Sequence, residues 1–117
     1  MNGVNAKIFD NITATAAKTM DWNNIGFEEV VVSGSVELNW SGVTNSGAVD
    51  GSMDIYISND TDVTKDSNTL IATYEITVGT GSKRLWIRTP FRYIKFIYTD
   101  NTVTAGYITC NFAGEVV

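Results

Sequence analysis

The sequence predicts an all-β chain folded as an antiparallel β-sandwich of about eight strands, and three observations carry that prediction. Branched residues dominate, with 15 Thr, 12 Val and 11 Ile against 3 Leu, and branched side chains suit a pleated surface better than a helix. Apolar and polar residues alternate with period two almost from end to end, which is the strand signature. Clusters of Gly, Ser, Asn and Asp interrupt these runs at the spacing of sandwich or barrel strands. At 117 residues the chain is expected to form one domain, 1–117, with 1–12 as an N-terminal arm or edge strand. A chain of this size buries roughly two-thirds of its unfolded surface, so it needs no metal or disulfide staple.

Residues 5–12 and 13–20 read as the weaker opening strands. The stretch 13–18 is Ala-rich, but its threonines and missing caps favour an extended segment over a helix. A strand at 27–32 follows, and Ser33-Gly34-Ser35 reads as a short hairpin into 35–41, where Val36, Leu38 and Trp40 share one face against Glu37 and Asn39. The glycine-rich stretch 42–52, with Asp50-Gly51, reads as a polar loop. Met53, Ile55 and Ile57 then point inward, with Asp54, Tyr56 and Ser58 outward. Beyond an acidic loop at 59–68, Leu70, Ala72, Tyr74, Ile76 and Val78 oppose Ile71, Thr73, Glu75 and Thr77. Gly79-Thr80-Gly81-Ser82 reads as a tight connection into the alternating Arg84, Leu85, Trp86, Ile87 and Arg88. Pro90 lies between strands, where it removes no ladder hydrogen bond.

In 92–99, Ile94, Phe96 and Tyr98 oppose Tyr93, Lys95 and Ile97; in 105–113, Ile108, Cys110 and Phe112 oppose Tyr107, Thr109 and Asn111. The expected core is Leu38, Trp40, Ile55, Ile57, Leu70, Tyr74, Ile76, Leu85, Ile87, Ile94, Phe96, Ile108 and Phe112. Each such side chain, fully buried, contributes about 1.5–3 kcal/mol by transfer. No connection holds a crossover helix, so antiparallel pairing is expected throughout.

Composition also excludes chemistry. With no histidine and one cysteine, the chain holds no His-based acid/base pair, no Ser-His-Asp or Cys-His site and no His/Cys zinc site of its own. Glu28, Glu29, Glu37 and Glu75 are strand carboxylates whose spacing singles out no acid and nucleophile, so no enzyme is expected. Asp60, Asp62 and Asp66 imitate a calcium loop, but the sixth-position Gly and twelfth-position Glu are missing and Lys65 intrudes; a solvated acidic loop is the better reading. No glycine-rich segment has phosphate-loop spacing, so no cofactor is expected. Cys110 alternates with Ile108 and Phe112 and reads as a small core hydrophobe.

A net charge of −5 argues against a general nucleic-acid binder. Five of the eight bases, Lys83, Arg84, Arg88, Arg92 and Lys95, nevertheless fall within thirteen residues. No basic stretch followed by an apolar run reads as a signal peptide, and no apolar run is long enough to span a membrane. The most informative residues are the outward aromatics Tyr56, Trp86, Tyr93 and Tyr107 with Arg88 and Lys95 beside them. Aromatics and arginine are enriched at protein interfaces, and aromatic rings also stack on sugars. These six residues are the candidate interface.

Ile12-Thr13-Ala14-Thr15-Ala16-Ala17 leads into 22–26 and 27–32, then the strand end Ile55-Tyr56-Ile57-Ser58-Asn59-Asp60, the strand Phe91-Arg92-Tyr93-Ile94-Lys95-Phe96-Ile97-Tyr98-Thr99, and the glycine-led last strand 106–114. This order of features, over roughly 12–114, resembles that of small β-sandwich virion proteins of tailed bacteriophages. It implies a jelly-roll-like sandwich with a structural role: a head decoration or auxiliary capsid protein, or a tail component, docked on major capsid or tail subunits. It also implies a homo-oligomer, with the trimeric symmetry usual for head decorations, located in virions assembled in the host cytoplasm. The alternative is a carbohydrate-binding or receptor-binding module of a tail fibre. Arg92-Tyr93-Ile94-Lys95 is similar, too, to a strand of discoidin-like jelly rolls, whose extracellular members commonly carry paired cysteines absent here.

Overall fold

The computed structural model describes residues 2–23, 30–47, 50–59 and 69–116. Their strands are β1 (Asn2–Thr13), β2 (Lys18–Asn23), β3 (Val31–Asn45), β4 (Gly51–Ser58), β5 (Thr69–Ile76), β6 (Gly79–Ile87), β7 (Tyr93–Thr99) and β8 (Val103–Val116). They form two four-stranded sheets, a first in the order β1-β8-β3-β6 and a second in the order β2-β7-β4-β5. Every paired neighbour runs antiparallel.

That order follows from folding one long ribbon. Laid flat, the ribbon pairs β1 with β8, β2 with β7, β3 with β6 and β4 with β5. Rolling it up adds the pairs β3–β8 and β4–β7 and sends alternate ribbon pairs into opposite sheets. This is the jelly roll, and the antiparallel sandwich of about eight strands expected from sequence is what the chain forms.

The core lies between the sheets. Of the residues expected there, Leu38, Trp40, Ile55, Ile57, Ile76, Ile87, Ile94, Phe96, Ile108 and Phe112 are buried. Tyr74 and Leu85 pack only partly against the core, because β5 and β6 are edge strands. Phe9 of the first sheet meets Phe96 of the second edge-on at 6.4 Å, and Phe91 meets Phe112 at 6.1 Å; such edge-to-face pairs contribute beyond their buried area. Cys110 is a buried free thiol beneath this layer.

Several local expectations are corrected. Ser33-Gly34-Ser35 is no hairpin: β3 runs straight through it. A Cβ at Gly34 would stand 2.6 Å from the Phe112 ring, so the glycine makes room for an aromatic rather than a turn. Likewise β6 begins at Gly79, and Gly81 leaves space for the Trp40 indole, 2.4 Å from where its Cβ would be. The 42–52 loop is shorter than expected, since β3 extends to Asn45.

Residues 14–17 form neither helix nor extended strand but the turn carrying the chain from the first sheet to the second. Leu70 is half exposed rather than buried. Ile55 pairs with Ala72 and Tyr56 with Leu70, so Ile71 is an extra residue whose bulge turns Leu70 to the outer face. Val78 sits exposed in the β5–β6 connection, and Ser58, paired with Tyr93 on the outer side as expected, is nonetheless buried. The 60–66 loop and residues 27–29 of the 27–32 strand lie outside the described residues.

One buried polar contact locks the sheets together. The Tyr98 hydroxyl donates to the Ala14 carbonyl at 2.7 Å, tying β7 to the turn after β1. Removing it in Tyr98→Phe leaves a buried carbonyl without that donor. The expected loss is about 1–3 kcal/mol, read as a lower denaturation midpoint at unchanged m-value.

Candidate interaction surfaces

Rolling the ribbon decides where the outward residues go. Trp86 on β6 and Tyr107 on β8 stand on the outer side of the first sheet, 62% and 52% exposed. Arg88 follows β6 directly and is exposed. Tyr56 on β4 and Tyr93 and Lys95 on β7 stand on the outer side of the second sheet. The six residues grouped in the sequence therefore form two sets on opposite faces of the sandwich. Trp86 pairs with Ser35 and Tyr107 with Ser41, which separates them by about 20 Å along β3.

The cluster of bases divides in the same way. Lys83, Arg84 and Arg88 belong with β6 of the first sheet, and Lys95 with β7 of the second. Lys83 pairs with the inward-facing Leu38 yet is exposed, because β6 is an edge. An inward-pointing charge is one way natural sheets discourage further strand pairing.

On the second sheet's outer face, Tyr56 lies between Lys95 and Leu70 in the register. The Lys95 ammonium sits 5.6 Å from the Tyr56 ring centroid, a cation–π arrangement. One register step along, Ile97 neighbours Asp54, which accepts from the Thr73 hydroxyl at 2.7 Å. Tyr56, Leu70, Tyr93 and Ile97 give this face an aromatic and aliphatic cluster beside one cation, Lys95, and two carboxylates, Asp54 and Glu75. Sequence alternation marked Tyr56 and Tyr93; the bulge at Ile71 hid Leu70.

The first sheet's outer face is polar. One register row crosses all four strands as Lys7, Asn111, Glu37 and Arg84, and the next as Asn5, Ala113, Ser35 and Trp86. Arg84 is ion-paired to Glu37, whose other oxygen accepts from Asn39 Nδ2 at 3.1 Å. These partners, Asn39 first and then Arg84, hold the Glu37 carboxyl below its usual range despite its exposure. The Arg84 guanidinium carbon lies 5.9 Å from the Trp86 ring centroid. The run Asn39–Glu37–Arg84–Trp86 was missed in sequence because its members meet only through the β3–β6 register.

Of the carboxylates weighed for catalysis, Glu37 is on the first sheet's outer face and Glu75, paired with Ser52, on the second's, so these two do not meet; Glu28 and Glu29 lie outside the described residues. Among the described residues no three His, Cys, Asp or Glu side chains gather as a metal site.

Neither a protein-family model nor a curated protein matches the chain. Solved structures do match its fold. The crystal structure of the infectious bursal disease virus VP2 subviral particle matches 98% of this chain at 13% identity with a TM-score of 0.53. That of the T13 viral particle of the same virus matches 98% at 13% identity with a TM-score of 0.54. The fold is shared with chains of these viral particles. The chain spans about a third of their length, 32% and 31% respectively.

Proposed function

We propose that this chain is a virion structural protein that works by docking on other subunits of its particle. The observation that carries the reading is the strand order β1-β8-β3-β6 and β2-β7-β4-β5, in a fold similar to that of viral particle chains. The strand motifs resembling small phage virion sandwiches support a finer assignment, a head decoration or auxiliary capsid protein of a tailed bacteriophage. In this reading its partners are major capsid or tail subunits, its copies form a homo-oligomer with trimeric symmetry, and the virion assembles in the host cytoplasm. Repetition around an axis multiplies a modest affinity per copy. The role needs no catalytic residue, cofactor, nucleic acid or membrane.

The docking face is the outer side of the second sheet, where Tyr56, Tyr93 and Lys95 stand with Leu70 and Ile97. Tyrosines anchored among aliphatic neighbours lose little side-chain entropy when covered and commonly dominate binding energy. Trp86, Arg88 and Tyr107 form a second surface behind them.

Shells lacking the protein should take it up at micromolar concentration and carry it through sedimentation. Tyr56→Ala with Tyr93→Ala should weaken uptake about tenfold or more, with the cooperative melt retained because neither ring is in the core. Shells that never bind the intact protein would overturn the reading.

A further inference from the structure

The first sheet's outer face differs from the docking face in kind. Its side chains are short or planar and polar, and Asn5, Asn39 and Asn111 fall on it together with Glu37 and Arg84. An open furrow of about 520 Å³ runs across it, floored by Ser35, Asn111 and Ala113 and flanked by Lys7 and Arg84. At its side stands Trp86, the most exposed large apolar residue of the described sheets.

Three properties narrow what this face would hold. Glu37 and Arg84 are ion-paired, and Lys7 is paired with Asp10 at 3.5 Å, so the furrow's charges are matched within the chain and a ligand need bring none. Carboxylate, guanidinium and amide stand side by side: the first only accepts hydrogen bonds, the second only donates, and the amides do both. A pair of neighbouring hydroxyl groups, each able to donate and accept, satisfies such a set at once. Trp86 adds an apolar ring whose polar handle lies at its rim, suited to the C–H face of a ring that is polar around its edge. The polar rows repeat about every 7 Å along the strands, so a ligand of several linked rings would meet successive rows.

We propose that the outer face of the first sheet is a binding site for a neutral oligosaccharide, with Trp86 as the stacking platform and Glu37, Arg84 and Asn39 as the hydroxyl-binding set. Asn39 and Arg84 act partly by holding the Glu37 carboxylate in one orientation and ionised, each engaging one oxygen and leaving it further lone-pair capacity for a ligand. This goes beyond the docking role: the two surfaces lie on opposite sheets, and a subunit seated through Tyr56 and Tyr93 presents Trp86 outward.

The test is calorimetric titration of the intact protein with cellohexaose, maltohexaose and chitohexaose, with amide chemical-shift mapping of each titration. At least one should bind with a dissociation constant below the millimolar range and shift amides of β3, β6 and β8. Trp86→Ala and Glu37→Gln should each weaken that binding about tenfold or more, whereas Trp86→Tyr retains most of it and Tyr56→Ala changes nothing. No binding of any of the three at millimolar concentration would overturn the proposal. So would binding that survives both Trp86→Ala and Glu37→Gln, or shifts confined to the second sheet. Because particle uptake is read separately, loss of sugar binding leaves the docking role standing, and failed uptake leaves the sugar site standing.

Discussion

Phe112→Ala will destabilise the protein by about 3–5 kcal/mol, the range for a core aromatic. Phe112 is 1% exposed and lies on β8, an inner strand of the first sheet flanked by β1 and β3. Its ring meets Phe91 edge-on at 77°. Ring-sized space is kept open by Gly34 and Gly114, where added Cβ atoms would fall 2.6 and 2.8 Å from the ring. Those two glycines are paired with each other across the β3–β8 ladder, so their backbone is held in place and the cavity left by alanine collapses little.

Gly34→Ala should destabilise the intact core, because its new methyl group strikes the ring. In the Phe112→Ala background the same change should cost much less, because the ring it strikes is gone and only the Ala113 carbonyl oxygen, 3.1 Å away, still crowds it. Denaturant titration of the double-mutant cycle reads the coupling directly. Additive losses, or a Phe112→Ala cost below about 1 kcal/mol, would contradict the packing described above.

Alkaline pH will unfold the protein through two buried protons. Burial pushes the Cys110 thiol from its ordinary 9.0 up to about 12. Burial, then the nearby Asp100 charge, pushes the Tyr98 phenol from 10.0 to about 12. Both groups are fully buried, and the phenol must keep its proton to donate to Ala14. The folded state therefore holds these protons where the unfolded chain releases them. Their contribution is complete below about pH 9 and is lost as pH rises towards 12.

At about 1.4 kcal/mol per pH unit for each proton, Cys110 removes about 4 kcal/mol over that window and Tyr98 about 3 kcal/mol. Against an ordinary domain stability of about 5–15 kcal/mol, this removes from about half to all of it. Cys110→Ala should move the alkaline midpoint upward and flatten the fall between pH 9 and 10, where Tyr98 is still silent. Stability that stays level from pH 9 to 12 would show that neither proton is held as described.

Most of the fold was legible because the inner strands keep period two through their middles, at 34–40 of β3, 51–57 of β4, 94–98 of β7 and 106–112 of β8. Legibility failed at the edges for a physical reason. In β1 the register slips between Lys7 and Phe9 and again between Phe9 and Ile12, so its core-facing residues fall three apart rather than two. The bulge in β5 did the same to Leu70. Glycine misled in the opposite sense: at Gly34 and Gly81 it admits an aromatic ring inside a strand, whereas composition reads it as a turn.

The candidate surface was half legible. Alternation says that Tyr56, Trp86, Tyr93 and Tyr107 point outward, but not from which sheet. The chain changes sheets between β6 and β7, so Trp86 and Tyr93, seven positions apart in sequence, end on opposite faces. The Glu37–Arg84 pair spans 47 residues and exists only through strand register.

The central claim, that this chain is a particle subunit seated through its second sheet, is tested most directly by cross-linking mass spectrometry on purified intact virions. The chain should be present in the particle at a fixed ratio to the major subunit, with cross-links to that subunit from Lys95 on β7. Particles that lack the chain, or cross-links to the particle made only from Lys83 and Lys7 of the first sheet, would contradict it.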